Sequence, residues 1–375
     1  MPDFPAEEYA ARTAKAQEGM ARQGIDAMFL TTEAEFRYFS GFRTAFWQSP
    51  TRPWFLILPR RGSPIAIIPQ IGVELMETTW VDDIRPFDSP ATDAPHLHLL
   101  QNALSDASTI ATPMGEESSL RMPLAEFDRL RRGLSATWVD ATPLIKALRM
   151  VKSPAEQKKI REICRIGSAA FARAGDLFHP GQPLDEVFRS FRIALLQEGA
   201  EEVPYLVGAA AAGGYSDVIS PPGSRPLADG DVLMLDTGAS LGGYFCDFDR
   251  NWAIGQASDA AASAHRHLHA ATEAALAAIR PGMTAALLCE VMAQALGQGS
   301  GIGRLGHGLG IQLTEWPSLA PHDQTVLEPG MVLTLEPSLQ IAPGKMMVHE
   351  ENILLTETGV ELLTDRTPPD LPVLS

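Results

Sequence analysis

Apolar positions recur with two different periods in the first part of this chain. Residues 6–23 have the period of an amphipathic helix that ends at Gly24. Short apolar runs follow at Ala27–Leu30, Trp54–Leu58 and Ile65–Ile68, and each has the length of a buried strand. This alternation of helix and strand up to about residue 145 predicts a small α/β domain.

A helix start marks the beginning of a second part. Ser153-Pro-Ala-Glu156 has the spacing of a capping box with proline in the first turn, and it predicts a helix that extends to about Gly175. A second helix begins at Pro183 and ends at Gly199, with one apolar face. We therefore predict two domains, residues 1–150 and residues 151–375.

Short strands dominate from residue 230 onward, with helices predicted near 257–279 and 284–297. Runs of strands together with runs of helices indicate the α+β class. The proline-rich tail from Thr367 is predicted to be an extended end on the surface.

Length, charge and cysteine content narrow the class of protein. A chain of 375 residues is too long for one ordinary core, and its net charge of −16 argues against binding to nucleic acid or an anionic membrane. Three scattered cysteines indicate reduced thiols in a cytoplasm. The first residues lack the pattern of a signal peptide, and no run of 18 apolar residues predicts a membrane span.

Acidic side chains follow several apolar strands in the second part of the chain. Burial of these carboxylates costs free energy unless a cation neutralises their charge. The same region contains one histidine between two glycines. The candidate metal ligands are Asp236, Asp247, His307, Glu336 and Glu350. Asp236 and Asp247 lie on segments that can pair as strands, and Glu336 and Glu350 flank another possible strand pair.

Four carboxylates carry the charge that two divalent cations neutralise. Oxygen-rich ligation with one imidazole favours manganese, cobalt, iron(II) or zinc over a thiolate zinc site. Two such ions about 3.5–4 Å apart hold a bridging water as hydroxide at neutral pH, which is the nucleophile of a hydrolase. The alternative is that these five residues are unrelated surface or turn residues.

The order and surroundings of these residues resemble the pita-bread metallopeptidase family, which includes methionine aminopeptidase, aminopeptidase P, prolidase and the non-peptidase creatinase. The resemblance rests on Leu235–Ala239, Gly243–Arg250, Gly306–Gly308, Thr334–Pro337 and His349–Asn352. It implies that the five candidate residues are metal ligands and that the chain works as a homodimer. Residues 1–150 resemble the creatinase-type N-terminal domain more loosely, through Tyr38–Phe42 and the strands between Trp54 and Pro69.

Two histidines that usually hold the substrate amide in this family are absent. The segment Ser216–Arg225 contains no histidine, and Thr314 stands seven residues after His307, where the second is expected. A threonine hydroxyl donates a hydrogen bond, but it carries no positive charge and moves no proton near pH 7. The metal ligands are thus present, while the usual amide-holding imidazoles are not.

Further residues are candidate substrate contacts, each with an alternative role. Thr314 replaces one imidazole, and Asp249 is either a metal or substrate contact or a partner of Arg250. Trp316 either lines the pocket or packs in the core. In dimeric relatives the N-terminal domain of one subunit covers the other's site, so Trp47 and Arg52 are candidate contacts in trans.

Two histidine segments have other interpretations. His349 alternates away from Glu350, which favours a supporting or surface role over ligation. The run His265–His269 suggests a second metal site, but no acidic residue or cysteine accompanies it, so a solvated helix face is the preferred interpretation.

Three functions remain in competition. The first is a dinuclear hydrolase of the Xaa-Pro aminopeptidase or dipeptidase type, in which Glu336 handles the proton and the substrate is a small peptide. The second is a small-molecule enzyme on the same scaffold, either a C–N hydrolase of the creatinase or ectoine-hydrolase type or a lyase of the dimethylsulfoniopropionate type. The third, a non-catalytic binding module, has no need of five intact ligands.

Overall fold

The computed structural model of the protein describes residues 3–297 and 303–375. It divides into two compact units, Met1–Arg149 and Met150–Ser375. Among the described helices, none is both long enough and apolar enough to cross a membrane.

A six-stranded mixed sheet forms the centre of the first unit, in the order β4-β3-β2-β1-β5-β6. The strands are β1 (Ala27–Leu30), β2 (Phe55–Pro59), β3 (Ile65–Pro69), β4 (Asp83–Phe87), β5 (Thr109–Thr112) and β6 (Thr137–Asp140). The helices are α1 (Ala6–Gln23), α2 (Glu33–Ser40), α3 (Val73–Met76), α4 (His96–Leu104), α5 (Leu124–Arg132) and α6 (Thr142–Arg149). Strand β1 pairs antiparallel with β2 and parallel with β5, so its four apolar residues are buried at the centre of the sheet.

Two sheets and a two-stranded ribbon make up the second unit. The first sheet has the order β18-β10-β8-β7, with β9 paired to β8, and the second has the order β12-β11-β13-β16-β17. The strands are β7 (Glu202–Ala212), β8 (Asp231–Leu241), β9 (Tyr244–Phe245), β10 (Phe248–Ile254), β11 (Gly306–Gly308), β12 (Glu315–Ser318), β13 (Val332–Leu335), β14 (Ser338–Ala342), β15 (Lys345–Val348), β16 (Glu351–Thr356), β17 (Gly359–Leu362) and β18 (Val373–Leu374). Strands β14 and β15 pair with each other as the ribbon.

The helices of the second unit are α7 (Pro154–Ala172), α8 (Ala174–Leu177), α9 (Leu184–Glu198), α10 (Asp259–Ala278) and α11 (Ala285–Ala295). Helix α7 begins with the predicted capping box, because Ser153 Oγ accepts from the Glu156 N–H and the Glu156 carboxylate accepts from the Ser153 N–H. It packs closely over the first sheet at Gly167, where a Cβ atom would lie 2.9 Å from the Phe248 ring. This contact fixes α7 above the strand that follows Asp247.

Two local differences separate the predicted elements from the structure. The helix predicted to reach Gly175 is interrupted at Arg173, whose backbone (φ −85°, ψ 3°) leaves the α-helical conformation, so the short helix α8 follows. The tail from Thr367 is extended, and its Val373 and Leu374 also pair with Ala253 and Ile254 of β10. The last residues of the chain therefore belong to the first sheet.

Candidate metal centre

The first sheet supplies two of the five candidate ligands. Strands β8 and β10 pair antiparallel with Asp236 opposite Asp249, and Asp247 directly precedes β10. The Asp247 N–H donates to Asn352 Oδ1 (2.9 Å), and the Asn352 amide donates back to the Asp247 carbonyl. Because Asn352 lies on β16, these two hydrogen bonds join the first sheet to the second at the position of Asp247.

The second sheet supplies His307, on the short strand β11 between β12 and β13. The strand is tightly enclosed: a Cβ atom at Gly306 would lie 2.2 Å from the Thr334 carbonyl oxygen, and one at Gly308 would lie 2.0 Å from the Trp316 carbonyl oxygen. Gly306 also has φ 144°, which a side chain disfavours. Only glycine fits on either side of His307.

The orientation of the His307 ring is set by a hydrogen bond from Nδ1 to the Gly308 carbonyl oxygen (2.8 Å). Its Nε2 atom then points to Glu336 Oε1 (2.8 Å) and Asp247 Oδ2 (3.2 Å). A hydrogen bond at one ring nitrogen that leaves the other free is the usual arrangement of a metal-binding histidine. The ring therefore presents Nε2 to the carboxylates.

The five candidate residues form two overlapping groups. Asp247, His307 and Glu336 each have a ligand atom within 4.8 Å of the other two, and so do Asp236, Asp247 and Glu350. Asp247 belongs to both groups. Asp236 and Asp247 come from the first sheet, His307 comes from the second sheet, and Glu336 and Glu350 flank the β14–β15 ribbon, so the two strand pairs expected from the sequence are present.

Burial dominates the electrostatics of the carboxylates. It raises the pKa of Asp236 and of Glu350 well above the ordinary range, and the neighbouring carboxylates add to both shifts. Burial also raises the pKa of Asp247, to about 6, although His307 opposes the shift. Burial acts in the same direction on Glu336, but the charge and hydrogen bond of His307, together with the Arg304 charge and a hydrogen bond from Thr334, outweigh it and leave the pKa of Glu336 below its usual value.

Burial alone lowers the pKa of His307, but the charges of Glu336 and Asp247 and the hydrogen bonds to both carboxylates together outweigh it and raise this pKa to about 10. Within the described part of the chain, Asp236 Oδ1 and Glu350 Oε2 are buried without a hydrogen-bond partner. Buried carboxylate oxygens are costly unless they bind a cation or a donor. The donor set, with its unpartnered oxygens and shared carboxylate, fits a pair of divalent cations.

Asp249 lies outside both groups. Its side chain is fully buried, its Oδ2 accepts from the Asn251 amide (2.6 Å), and Asn251 in turn accepts from the Tyr215 hydroxyl (3.0 Å). Arg250, its predicted partner, donates instead to the Asp249 carbonyl and forms an ion pair with Glu351 (3.0 Å). This position gives the Asp249 carboxylate no surface to offer a substrate and favours a supporting role.

The predicted substrate contacts of the second unit differ in accessibility. Thr314 is exposed, whereas Trp316 is only 7% exposed on β12. The segment that lacks histidine turns around Asp217, whose Oδ1 accepts from the N–H groups of Ile219 and Ser220, and Ile219 is 73% exposed. Of these residues, Thr314 remains the candidate with a side chain free for a ligand.

Trp47 and Arg52 lie in the first unit. The Trp47 ring is 4% exposed and packs against Phe36 and Trp54 at centroid distances of 5.4 and 5.9 Å, which favours a core role over substrate contact. Arg52 stacks its guanidinium on the Phe46 ring at 5.1 Å, and Phe46 is 44% exposed. Phe46 and Arg52 thus form the accessible part of this predicted recognition segment.

One histidine of the segment His265–His269 on α10 is buried, although a solvated helix face was predicted for this segment. His265 is fully buried, its ring lies 6.1 Å from that of His349, and its Nε2 contacts the Pro368 carbonyl (3.0 Å). His267 is exposed, as predicted. Position 265 lies on the helix face that covers the β14–β15 ribbon, and the apolar period did not reveal this because histidine counts as polar.

Two residues near the centre were not identified from the sequence. Asn352 ends the segment His349–Asn352, and its side-chain amide joins the two sheets. Tyr205, on β7, lies near Asp236, Asp247 and Glu350; after burial, their charges raise its pKa, and Asp236 adds to this shift as a hydrogen-bond acceptor. No motif surrounds Tyr205, so its position became visible only from the pairing of β7 with β8.

Comparison with known proteins accounts for both units. The chain matches the model of metallopeptidase family M24 over residues 158–357 and that of the creatinase/prolidase N-terminal domain over residues 12–151. It is 28% identical to a probable dipeptidase PepE of Mycobacterium bovis over an alignment of 382 residues, which covers 99% of this chain and 98% of the relative. It is 26% identical to an Xaa-Pro dipeptidase of Pyrococcus furiosus over 365 residues, covering 94% and 97%.

The crystal structure of dipeptidase PepE from Mycobacterium ulcerans superimposes with a TM-score of 0.85 and 26% identity, covering 99% of each chain. The predicted α+β class and the pita-bread architecture with a creatinase-type N-terminal domain are confirmed. Since the family model spans more than half of the chain, the protein belongs to metallopeptidase family M24 and is a metallohydrolase.

Proposed function

We propose that the protein hydrolyses the amide bond of a small peptide of the Xaa-Pro type, with two divalent cations held by Asp236, Asp247, His307, Glu336 and Glu350. The observation that carries this proposal is the sharing of Asp247 between two three-residue groups. A carboxylate has two oxygens, so one side chain is able to serve two ions at once. Manganese, cobalt, iron(II) and zinc all suit such a donor set.

When bound, the ions would lower the pKa of a water molecule and polarise the substrate carbonyl. The chain's own contribution to proton transfer is Glu336. Its side chain is 15% exposed, compared with 7% for Asp247 and 3% for His307. A glutamate side chain is ionised at neutral pH, so Glu336 is able to accept a proton from the attacking water. We therefore assign the general base to Glu336.

The relatives support a peptide substrate. The similar proteins include an Xaa-Pro dipeptidase and probable dipeptidases, and their alignments cover nearly the full length of this chain. We propose that the protein shares this substrate class.

One observation favours a second candidate, a non-peptidase enzyme on the same scaffold. The segment Asp217–Arg225 presents Ile219 to solvent and contains no imidazole, and Thr314 stands where the other imidazole is expected. A site without these groups suits a smaller C–N substrate of the creatinase or ectoine-hydrolase type, or a lyase substrate of the dimethylsulfoniopropionate type.

The two candidates differ in a direct assay. Purified protein with added manganese is expected to cleave Xaa-Pro dipeptides or tripeptides, and Glu336→Gln is expected to lower kcat by about 100- to 10,000-fold, the usual contribution of a general base. Glu328→Gln, at an exposed glutamate, is the matched control and should retain activity. Peptides left intact by a manganese-loaded protein that turns over a small C–N metabolite would establish the second candidate instead.

We also propose that the protein is a homodimer, as the resemblance implies, and that it is cytoplasmic. Its three cysteines are buried and form no disulfide, which suits a reducing compartment. Sedimentation velocity is expected to show a species of about twice the 40.5 kDa chain mass, and a monomer at all concentrations would contradict the proposal.

A further inference from the structure

The C-terminal segment, residues 364–374, is tied to the neighbour of a candidate ligand by one arginine. Arg366 donates from Nη1 to Glu351 Oε1 (3.0 Å) and from Nη2 to Glu273 Oε1 on α10 (2.6 Å). Glu351 is fully buried, and it directly follows Glu350 at the start of β16. Arg366 therefore joins the C-terminal segment both to α10 and to the strand that begins beside Glu350.

Glu351 is held from two sides by arginine. Its Oε2 atom accepts from Arg250 Nη2 (3.0 Å), and Arg250 Nη1 donates to the Glu350 carbonyl oxygen (2.9 Å). Its Oε1 atom depends on Arg366, because the other hydrogen bond described for this oxygen, from the Thr367 N–H, is 3.5 Å long. A buried carboxylate that loses a charged partner is strongly destabilised where it stands. Loss of Arg366 is therefore expected to displace Glu351, and Glu350 with it.

The position of Glu350 affects one half of the centre. Glu350 and His349 form the two-residue link between β15 and β16, and the His349 N–H donates to the Pro337 carbonyl oxygen (3.1 Å). Of the two candidate ion-binding groups in the described part of the chain, Glu350 belongs to the one that it forms with Asp236 and Asp247. A displaced Glu350 would therefore weaken one ion site and spare the other.

We propose that Arg366 is a positioning residue for the metal centre, which keeps Glu350 in place to bind one of the two ions by holding the adjacent Glu351. This rests on the proposed function, because it requires a pair of ions at the five candidate ligands. The ion bound next to Glu350 depends on the C-terminal segment, whereas the ion bound next to His307 does not. A segment that contributes none of the five candidate ligands thus controls the occupancy of one ion site.

The test is a calorimetric titration of the metal-free protein with manganese, which counts the ions and gives the affinity of each site. Arg366→Met keeps the apolar stem of the side chain and removes its charge. The variant is expected to bind one manganese ion about 10- to 100-fold more weakly, the range for losing a group that supports a ligand, and the other within about threefold of the wild type.

Arg366→Gln guards against a folding defect in the first variant, because its side-chain amide is still able to donate to Glu351. It should weaken the same ion site by about fivefold or more, since a charged donor bonds a carboxylate more strongly than a neutral one. The other ion site should again stay within about threefold of the wild type.

Arg266→Met is the matched control. Arg266 lies on α10 and pairs with Asp370 of the C-terminal segment at 3.4 Å, with the two side chains 53% and 83% exposed. The substitution therefore removes another ion pair between α10 and this segment, but one that does not involve Glu351. Both manganese affinities should equal those of the wild type, because exposed ion pairs contribute little.

Manganese affinities of both Arg366 variants equal to those of the wild type would overturn the proposal. So would losses of equal size at both ion sites, or an equal loss in Arg266→Met, because either would show that the C-terminal segment acts only on general stability. A wild-type protein that binds no manganese would overturn the proposed function and this proposal together. Two bound ions and the one-site loss, without turnover of any peptide, would contradict the peptidase proposal alone.

Discussion

Replacing Asp247 with asparagine is expected to abolish turnover and to reduce bound manganese from two ions per chain to one or none. Asp247 belongs to both candidate ion-binding groups, so the substitution removes a charged ligand from each. Loss of a group that only supports a ligand costs about 10- to 100-fold in metal affinity or activity, so loss of a shared ligand should exceed that range. Metal analysis after gel filtration and the kcat of the variant measure the two effects.

Asp249→Asn is the matched control for this substitution. Asp249 lies two positions further along the chain, on β10, and its side chain is also buried, but it stands outside both groups. The control should retain two ions. A loss of metal from Asp249→Asn equal to that from Asp247→Asn would contradict the assignment of ligands and make Asp249 part of the centre.

Manganese affinity is expected to rise steeply with pH. His307 has a pKa of about 10 in the metal-free protein, so at neutral pH the ring is an imidazolium with a proton on each nitrogen, and the Nε2 proton must leave before the ring binds an ion. Below that pKa, each pH unit increases the neutral fraction of the ring about tenfold. The apparent affinity should therefore rise at least about 100-fold between roughly pH 6.5 and 8.5.

Calorimetry in two buffers of different ionisation enthalpy gives both the affinity and the number of protons released. The raised pKa values of Asp236 and Glu350 act in the same direction as that of His307, because a protonated carboxyl group must also lose its proton. His267→Gln, at an exposed histidine on α10, should leave the pH dependence unchanged. An affinity that is flat over this range would show that His307 is already neutral and unpaired in the metal-free protein.

The grouping of the five candidate ligands was predictable because the sequence carries two independent signals for it. The first signal is an acidic residue at the end of an apolar strand, because burying its charge is unfavourable unless a cation neutralises it. The second is the pair Gly306 and Gly308, which leave His307 as the one side chain of its strand. The local pattern of apolar residues also indicated the strand pairs around Asp236 and Glu350. This pattern is visible in the sequence without knowledge of the tertiary structure.

The environment of the ligands was not predictable in the same way. Whether Asp249 and Trp47 face a substrate or the core depends on which elements pack over them. The hydrophobic repeat of a strand (two residues) or a helix (3.6 residues) does not show which elements these are. The position of Tyr205 beside Asp236 depends on the register of β7 against β8, which pairs it with Gly238. His265 is buried because a whole helix covers a ribbon that lies 70 or more residues further along the chain.

The reciprocal hydrogen bonds between Asp247 and Asn352 have a consequence for synthesis of the protein. They join residues 105 positions apart in sequence, and the last candidate ligand, Glu350, lies two residues before Asn352. Contacts of such long range form late, because the intervening chain must first be brought together. A chain emerging from the ribosome therefore carries an incomplete centre until its final strands are made, and hydrolytic activity begins only when the second unit has closed.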